Sequence, residues 1–188
     1  MTKGLKISIL LLISLLGIYL LNVKKQGNLE SSSTAIFTGN QKNITKVLIQ
    51  QGEEAIELSL NDTTWEIAGN DTLIIKSRSI DNLFDKVLKV NRGTIISENP
   101  NKYDKYAIDD STGTHLAIID ANGDTIEYYI FGRSKSDYSR SYVRIGNNPN
   151  VYLADENVIY MLSTKETYWG EIPKEEIQSP PPADTINN

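Results

Sequence analysis

The stretch HLAIIDANGDTIEYYIF, residues 115–131, places Asn122 and Gly123 between two runs rich in apolar and aromatic side chains. Both residues of this dipeptide accept a positive φ at low cost, as a type I′ turn requires, so the stretch predicts a β-hairpin. A two-residue turn sets Ile119 opposite Ile126 and makes the face that they share the apolar one. The chain is therefore expected to contain an antiparallel sheet.

Further strands are predicted on both sides of this hairpin. Residues 46–51, 55–60 and 63–68 are short runs separated by turn residues, and together they predict an antiparallel meander. In the second run, Ile56, Leu58 and Leu60 alternate with polar residues, the pattern of a half-buried strand. Residues 141–145 and 150–155 are separated by GNNP and predict a second hairpin.

One segment changes to the helical period. Residues 77–90, SRSIDNLFDKVLKV, carry apolar side chains at positions i, i+3, i+4, i+7 and i+8, namely Ile80, Leu83, Phe84, Val87 and Leu88. This spacing predicts an amphipathic helix. A short final helix capped by Asp155 is predicted over residues 155–162. The expected fold class is α+β, with a largely antiparallel sheet, one main amphipathic helix and one or two short helices.

A single N-terminal transmembrane helix is expected before this domain. Residues 7–23 carry no charge, and Lys6 and Lys24 flank them. Seventeen helical residues span about 26 Å, which snorkelling lysines extend toward the ~30 Å hydrocarbon core. The alternative is a cleaved signal peptide, but no A-x-A-like pair follows the run closely. We expect an uncleaved anchor in the lipid bilayer, with the domain outside the cytoplasm.

The rest of the chain divides by composition. The expected segments are an anchor, a flexible linker, one globular domain and a disordered Pro-rich tail, at residues 1–25, 26–42, 43–172 and 173–188.

Composition excludes several classes of function. Cysteine is absent, which removes disulfides, thiolate catalysis and lipidation on cysteine. Four of the 19 basic residues flank the anchor, whereas all 24 acidic residues follow it, so residues 26–188 hold 15 basic and 24 acidic side chains. An acidic domain repels phosphate backbones, and no nucleic-acid partner is expected.

The order of these features resembles the bacterial envelope proteins that carry the domain of unknown function DUF4340. The resemblance lies in TTWEIA with Trp65, IDNLFDKVLKV, NKYDKYAIDD, GTHLAIIDANGDTIEYYIFGRS and SYVRIGNNPNVYLAD, and covers residues 44–169. Many members of that family are longer than this chain. The resemblance implies an anchored protein of the bacterial inner membrane with a periplasmic domain, in some relatives encoded beside ABC-transporter components, including those of the gliding-motility type. It supplies no reaction and no catalytic residues.

A basic, tyrosine-containing segment is the candidate partner-binding surface. It contains Arg133, Lys135, Tyr138, Arg140, Tyr142 and Arg144. Such side chains can hold an anionic partner or stack on a sugar ring. The alternative interpretation is a solvated loop whose tyrosines pack at the sheet edge.

Catalytic residues are not predicted. His115 is the only histidine, no G-x-S-x-G elbow is present, and the hairpin register places His115 on the predicted apolar face, where a backbone partner would satisfy it. Asp109 and Asp110 are adjacent, so in extended chain they point in opposite directions and more naturally cap a turn.

No metal site or cofactor is predicted either. Asp120, Asn122 and Asp124 alternate as in a calcium loop, but the glycine and glutamate positions of an EF-hand are not filled. The leading hypothesis is a non-catalytic module that binds an envelope protein partner. The alternatives are an envelope glycan hydrolase that uses two carboxylates, and a structural spacer.

Overall fold

One large antiparallel sheet organises the fold. The computed structural model describes residues 34–135 and 137–173. The strands are β1 (Thr34–Ala35), β2 (Ile44–Gln51), β3 (Glu54–Asn61), β4 (Thr64–Ile67), β5 (Ile74–Ile75), β6 (Asn91–Ser97), β7 (Thr114–Asp120), β8 (Thr125–Arg133), β9 (Ser141–Ile145), β10 (Val151–Ala154) and β11 (Gly170–Glu171). The α-helices are α1 (Ser77–Asn82) and α2 (Glu166–Trp169).

Nine strands form the large sheet in the order β1-β6-β10-β9-β8-β7-β2-β3-β4, and β5 pairs with β11 separately. All these pairings are antiparallel. The predicted meander and the second hairpin are confirmed as β2-β3-β4 and β9-β10. A mostly antiparallel sheet with one main helix and short helices is the α+β architecture that the sequence predicts.

The predicted membrane anchor, residues 7–23, lies outside the described residues, as does the predicted tail apart from Pro173. Within residues 34–135 and 137–173, no helix has both the length and the apolar character needed to cross a membrane.

The predicted main helix is confirmed, with a change of pitch in its middle. Helix α1 continues at Leu83 into a π-helical turn, Leu83–Val87, in which the Leu88 N–H donates to the Leu83 carbonyl 3.0 Å away. Leu83, Val87 and Leu88 are buried, whereas Ile80 and Phe84 are half-buried. The apolar stripe therefore packs on one face of the sheet and forms the main core with it.

The N-terminal segment belongs to this core. Strand β1 pairs with β6, and the next residues, Ile36 and Phe37, are buried. The Ile36 N–H donates to the Val90 carbonyl (2.9 Å), and the buried Tyr129 hydroxyl donates to the Ile36 carbonyl (3.0 Å). The packed domain thus includes the C-terminal part of the segment that the sequence assigns to the linker, residues 26–42.

The central hairpin forms, but its predicted turn type is wrong. Gly123 has φ +86°, whereas Asn122 is not among the residues with positive φ. The Gly123 N–H donates to the Asp120 carbonyl (3.1 Å), as in a type I turn followed by a left-handed glycine. The extra loop residue shifts the last pair, so Ile119 lies opposite Thr125.

The buried face of this hairpin is also the opposite of the predicted one. His115 pairs with Ile130 as expected. The side chains that enter the main core, however, lie on the other face: Leu116, Ile118, Tyr129 and Phe131. Both faces of the hairpin carry apolar residues because both are covered, so alternation could not decide between them.

A second, smaller core covers the face that carries Ile130. Its buried members are Tyr106, Ile108, Ile130 and Val151. Two 3₁₀ turns, Pro100–Lys102 and Asp104–Tyr106, bring the segment before β7 across the sheet. The backbone of this segment lies so close to β8 that a Cβ on Gly132 would be 2.1 Å from the Tyr106 carbonyl oxygen.

The predicted final helix over residues 155–162 is wrong. The structure has only a 3₁₀ turn there, Ile159–Met161. Asp155 does not cap it, because its carboxylate accepts hydrogen bonds from the Asn91 N–H (2.9 Å) and side-chain amide (2.8 Å). The Asp155 carboxylate thus links β6 to the chain after β10 by hydrogen bonds.

Candidate interaction surfaces

The surface predicted from the sequence divides into two parts. The first is the basic loop, defined by Arg133 at the end of β8 and by Lys135, Tyr138 and Arg140 between β8 and β9. All four side chains are exposed, and Tyr138 is 77% exposed. Tyr142 and Arg144 are not part of this exposed group, because they are half-buried on β9.

Hydrogen bonds hold the backbone of the basic loop. The Asp137 carboxylate accepts a bond from the Ser139 N–H (3.0 Å) and one from the Ser139 hydroxyl, which together lower the pKa of Asp137. Asn157 donates to the Tyr138 carbonyl (3.0 Å), and Arg140 lies 3.3 Å from the Asp137 carboxylate. These contacts hold the turn of residues 137–140, and a backbone that is held by hydrogen bonds loses less entropy on binding.

The second part lies over the smaller core. The Tyr142 ring packs edge-on against Tyr106, with centroids 5.0 Å apart. The Arg144 guanidinium lies over the Tyr103 ring, 4.6 Å from its centroid, and 3.5 Å from the Asp110 carboxylate. Arg144 is thus fixed by stacking and an ion pair, and its Nε is buried without a hydrogen-bond partner among the described residues.

His115 has a different partner from the backbone group that the sequence suggests. Its Nδ1 is hydrogen-bonded to the Tyr128 hydroxyl, and its Nε2 is buried without a partner among the described residues. Burial, followed by the charge of Asp110, raises the pKa of Tyr128, while Arg144 opposes this rise. Tyr128 therefore stays protonated at neutral pH and can donate or accept a hydrogen bond but not act as a base.

The adjacent carboxylates have separate roles. Asp109 accepts bonds from the Ser111 N–H (3.0 Å) and the Thr112 N–H (3.1 Å) and from both hydroxyls. These bonds, that of the Ser111 hydroxyl first, hold the pKa of Asp109 well below its usual value. Asp110 instead faces solvent beside Arg144. Because a general acid needs a raised pKa, Asp109 is poorly suited to that role.

Removing the Asp109 carboxylate should lower the free energy of unfolding at neutral pH more than at acid pH. The folded state binds fewer protons at Asp109 than the unfolded state, so this contribution is complete well above the unfolded pKa of 3.8 and is lost progressively as the pH falls from there through the lowered pKa of the folded state. We expect Asp109→Ala to lower the free energy of unfolding at pH 7 by about 0.5–1 kcal/mol, since the group is exposed. Urea titrations at pH 7 and pH 3 measure this; an equal deficit at both would contradict the assignment.

The side chains that could bind a metal ion either accept other hydrogen bonds or are not grouped together. The Asp120 carboxylate accepts bonds from the N–H groups of Asn122 (2.9 Å) and Asp124 (3.0 Å) and so stabilises the hairpin turn. In residues 34–135 and 137–173, no three side chains of histidine, aspartate or glutamate are grouped as metal ligands would be.

Sequence reasoning missed a groove at the β4 edge of the sheet. Its lining includes Trp65 and Ile74 together with the acidic residues Glu66, Asp71 and Asp81. Three acids close to a tryptophan in the sequence are a weak signal. Their place in the lining of one groove depends on how the chain folds back after β4, which the residue pattern does not encode.

Comparison with known proteins identifies one family. The model of the family described as "Domain of unknown function (DUF4340)" matches residues 65–171. No curated protein and no solved structure matches the chain. The match begins at Trp65 and confirms the resemblance seen in the sequence. Because it spans more than half of the 188 residues, this protein belongs to the DUF4340 family.

Proposed function

We propose that this protein is a non-catalytic binding or assembly module of the bacterial envelope. Residues 7–23 anchor it in the lipid bilayer of the inner membrane as an uncleaved span, and the domain lies on the periplasmic side. It binds an envelope protein partner, as an accessory of an ABC-transporter-type complex. The anchor raises the effective concentration of the domain toward partners in the same membrane, so a weak contact suffices.

The observation that carries this proposal is the basic loop. An acidic domain presents three basic side chains and an exposed tyrosine on one loop, Arg133, Lys135, Tyr138 and Arg140. Arginine and tyrosine are enriched in the centres of protein interfaces. The three exposed cations and the hydrogen-bonded turn of residues 137–140 favour recognition of an anionic surface.

The first readout of the test is the position and mass of the protein. The full chain with a C-terminal tag is produced in cells that naturally encode it, crosslinked and fractionated. We expect it in the membrane pellet, with an intact mass that includes residues 1–25. A soluble product that lacks these residues would show a cleaved signal peptide and overturn the anchor.

The second readout compares two matched charge reversals. Arg140 and Lys89 are both exposed and each lies in a short-range ion pair, with Asp137 and Asp85 respectively. We expect Arg140→Glu to reduce the crosslinked partner by at least about tenfold, since reversal adds repulsion at the contact. Lys89→Glu should leave it unchanged. Equal yields from the two variants would contradict the choice of surface.

A further inference from the structure

The groove at the β4 edge has a volume of about 970 Å³. It lies at the end of the large sheet, and β7, β2 and β3 separate β4 from the strand that leads into the basic loop. Its walls are β4, the chain from Ala68 to Ile75 and the first turns of α1. It is thus a surface distinct from the one proposed above.

The outer backbone of β4 is open at Trp65, whereas at Ile67 the carbonyl already accepts the Asn70 N–H (3.1 Å). Strand β4 is the last strand of the sheet, and no described strand pairs with its outer side. The Ala68 N–H donates to the Glu57 carbonyl on β3 (2.9 Å), and antiparallel pairs alternate between bonded and non-bonded positions. The N–H and C=O groups of Trp65 therefore point away from β3, where an added strand would pair with them.

Apolar side chains line the same edge. Trp65 is half-buried and packs against Phe84, with ring centroids 5.6 Å apart. Ile74 also lines the groove and is 51% exposed. An extended chain laid along β4 would place every second side chain on the face that carries Trp65.

The acidic residues of the groove favour a basic partner. Glu66, Asp71 and Asp81 line the groove, and its lining contains no lysine or arginine. None of the three acids forms an ion pair with another described residue. Glu66 follows Trp65 directly, so it points to the opposite face of the strand. A docked chain therefore meets apolar contacts on one face and a carboxylate on the other.

We propose that the β4 edge binds an extended segment of a partner protein in which apolar and basic residues alternate. The segment adds a tenth strand to the sheet through the backbone of Trp65. Its apolar side chains pack on Trp65 and Ile74. Its lysine or arginine side chains face Glu66, Asp71 and Asp81.

The probe for this site is the peptide acetyl-KVKVKVK-amide, added to the full chain in a non-ionic detergent. Trp169 is fully buried, so a saturable change in tryptophan emission reports Trp65. Hydrogen exchange of the Trp65 amide should slow at least about tenfold at saturation, since the new pairing protects it. If the emission changes saturably but the Trp65 amide is not protected, the peptide binds without adding a strand. If the emission does not change saturably, the groove is not the binding site.

Two controls test the role of charge. The peptide acetyl-EVEVEVE-amide should not bind measurably, and equal binding would overturn the charge argument. The double variant Glu66→Lys, Asp81→Lys should raise the Kd for the lysine peptide by at least about tenfold. Glu98→Lys, an exposed acid away from the groove, should leave it unchanged. Circular dichroism verifies that each variant is folded, and a double variant that is folded and binds normally contradicts the assignment.

Discussion

Replacing Gly132 by alanine should destabilise the domain by about 3 kcal/mol, at the upper end of the cost of overpacking. The new Cβ would lie 2.1 Å from the Tyr106 carbonyl oxygen and 2.7 Å from that of Ala107. Both obstacles are backbone atoms, which no rotamer change removes. The 3₁₀ turn Asp104–Tyr106 must move away from β8, and this movement opens the smaller core.

Urea unfolding of the full chain in detergent measures this effect, with Gly123→Ala as the control. Gly123 has φ +86° and open space around its Cα, so alanine there costs only the strain of the left-handed region, about 1 kcal/mol. If both variants lost the same stability, the close backbone contact at Gly132 would not be the cause. The Gly132 variant should also expose Tyr106 to solvent, visible as a change in tyrosine emission.

Replacing Trp169 by alanine should have the largest effect in the domain, about 3–5 kcal/mol. Trp169 is fully buried in the main core. Its indole N–H donates to the Ser163 carbonyl (2.7 Å), and its own carbonyl accepts the Lys76 N–H at the start of α1 (2.7 Å). The substitution removes a large apolar side chain and leaves the Ser163 carbonyl without its donor.

Two variants separate these contributions. Trp169→Phe keeps most of the apolar contact but removes the N–H, so we expect a loss of about 1–3 kcal/mol. Trp65→Ala removes the same side chain from a half-buried position at the sheet edge and should cost about 1–2 kcal/mol. Thermal or chemical denaturation ranks the three. A Trp65 loss as large as that of Trp169 would contradict the described burial.

Local patterns predicted the elements well because each depends on nearby residues. The stripe from Ile80 to Leu88 could only be buried as a helix, and its apolar members do pack on the sheet. The hairpin register between His115 and Ile130 also followed from the sequence. The choice of buried face did not, since Leu116 and Ala117 are both apolar and only the elements stacked above and below decide which side is the larger core.

The candidate sites were harder to predict because tertiary contacts assemble them. Arg144 and Tyr138 belong to the same basic segment of the sequence. The structure separates them, because Arg144 stacks over Tyr103, whereas Tyr138 is exposed on a loop. The ion pair of Asp110 with Arg144 joins segments that the chain places far apart. The same is true of Asp155, which follows β10 and whose partner Asn91 lies on β6, so a helix cap was the nearer but wrong interpretation.

The entry of the chain through β1 has a mechanical consequence. A pull on the N-terminus first reaches two residues of β1, and directly afterwards Ile36 and Phe37 in the main core. The described part of the predicted linker, residues 34–42, is therefore paired and packed and supplies no free length; fully extended, it would have spanned about 30 Å. A force applied at β1 acts directly on the hydrogen bond between the Ile36 carbonyl and the Tyr129 hydroxyl, and so on the hydrophobic core.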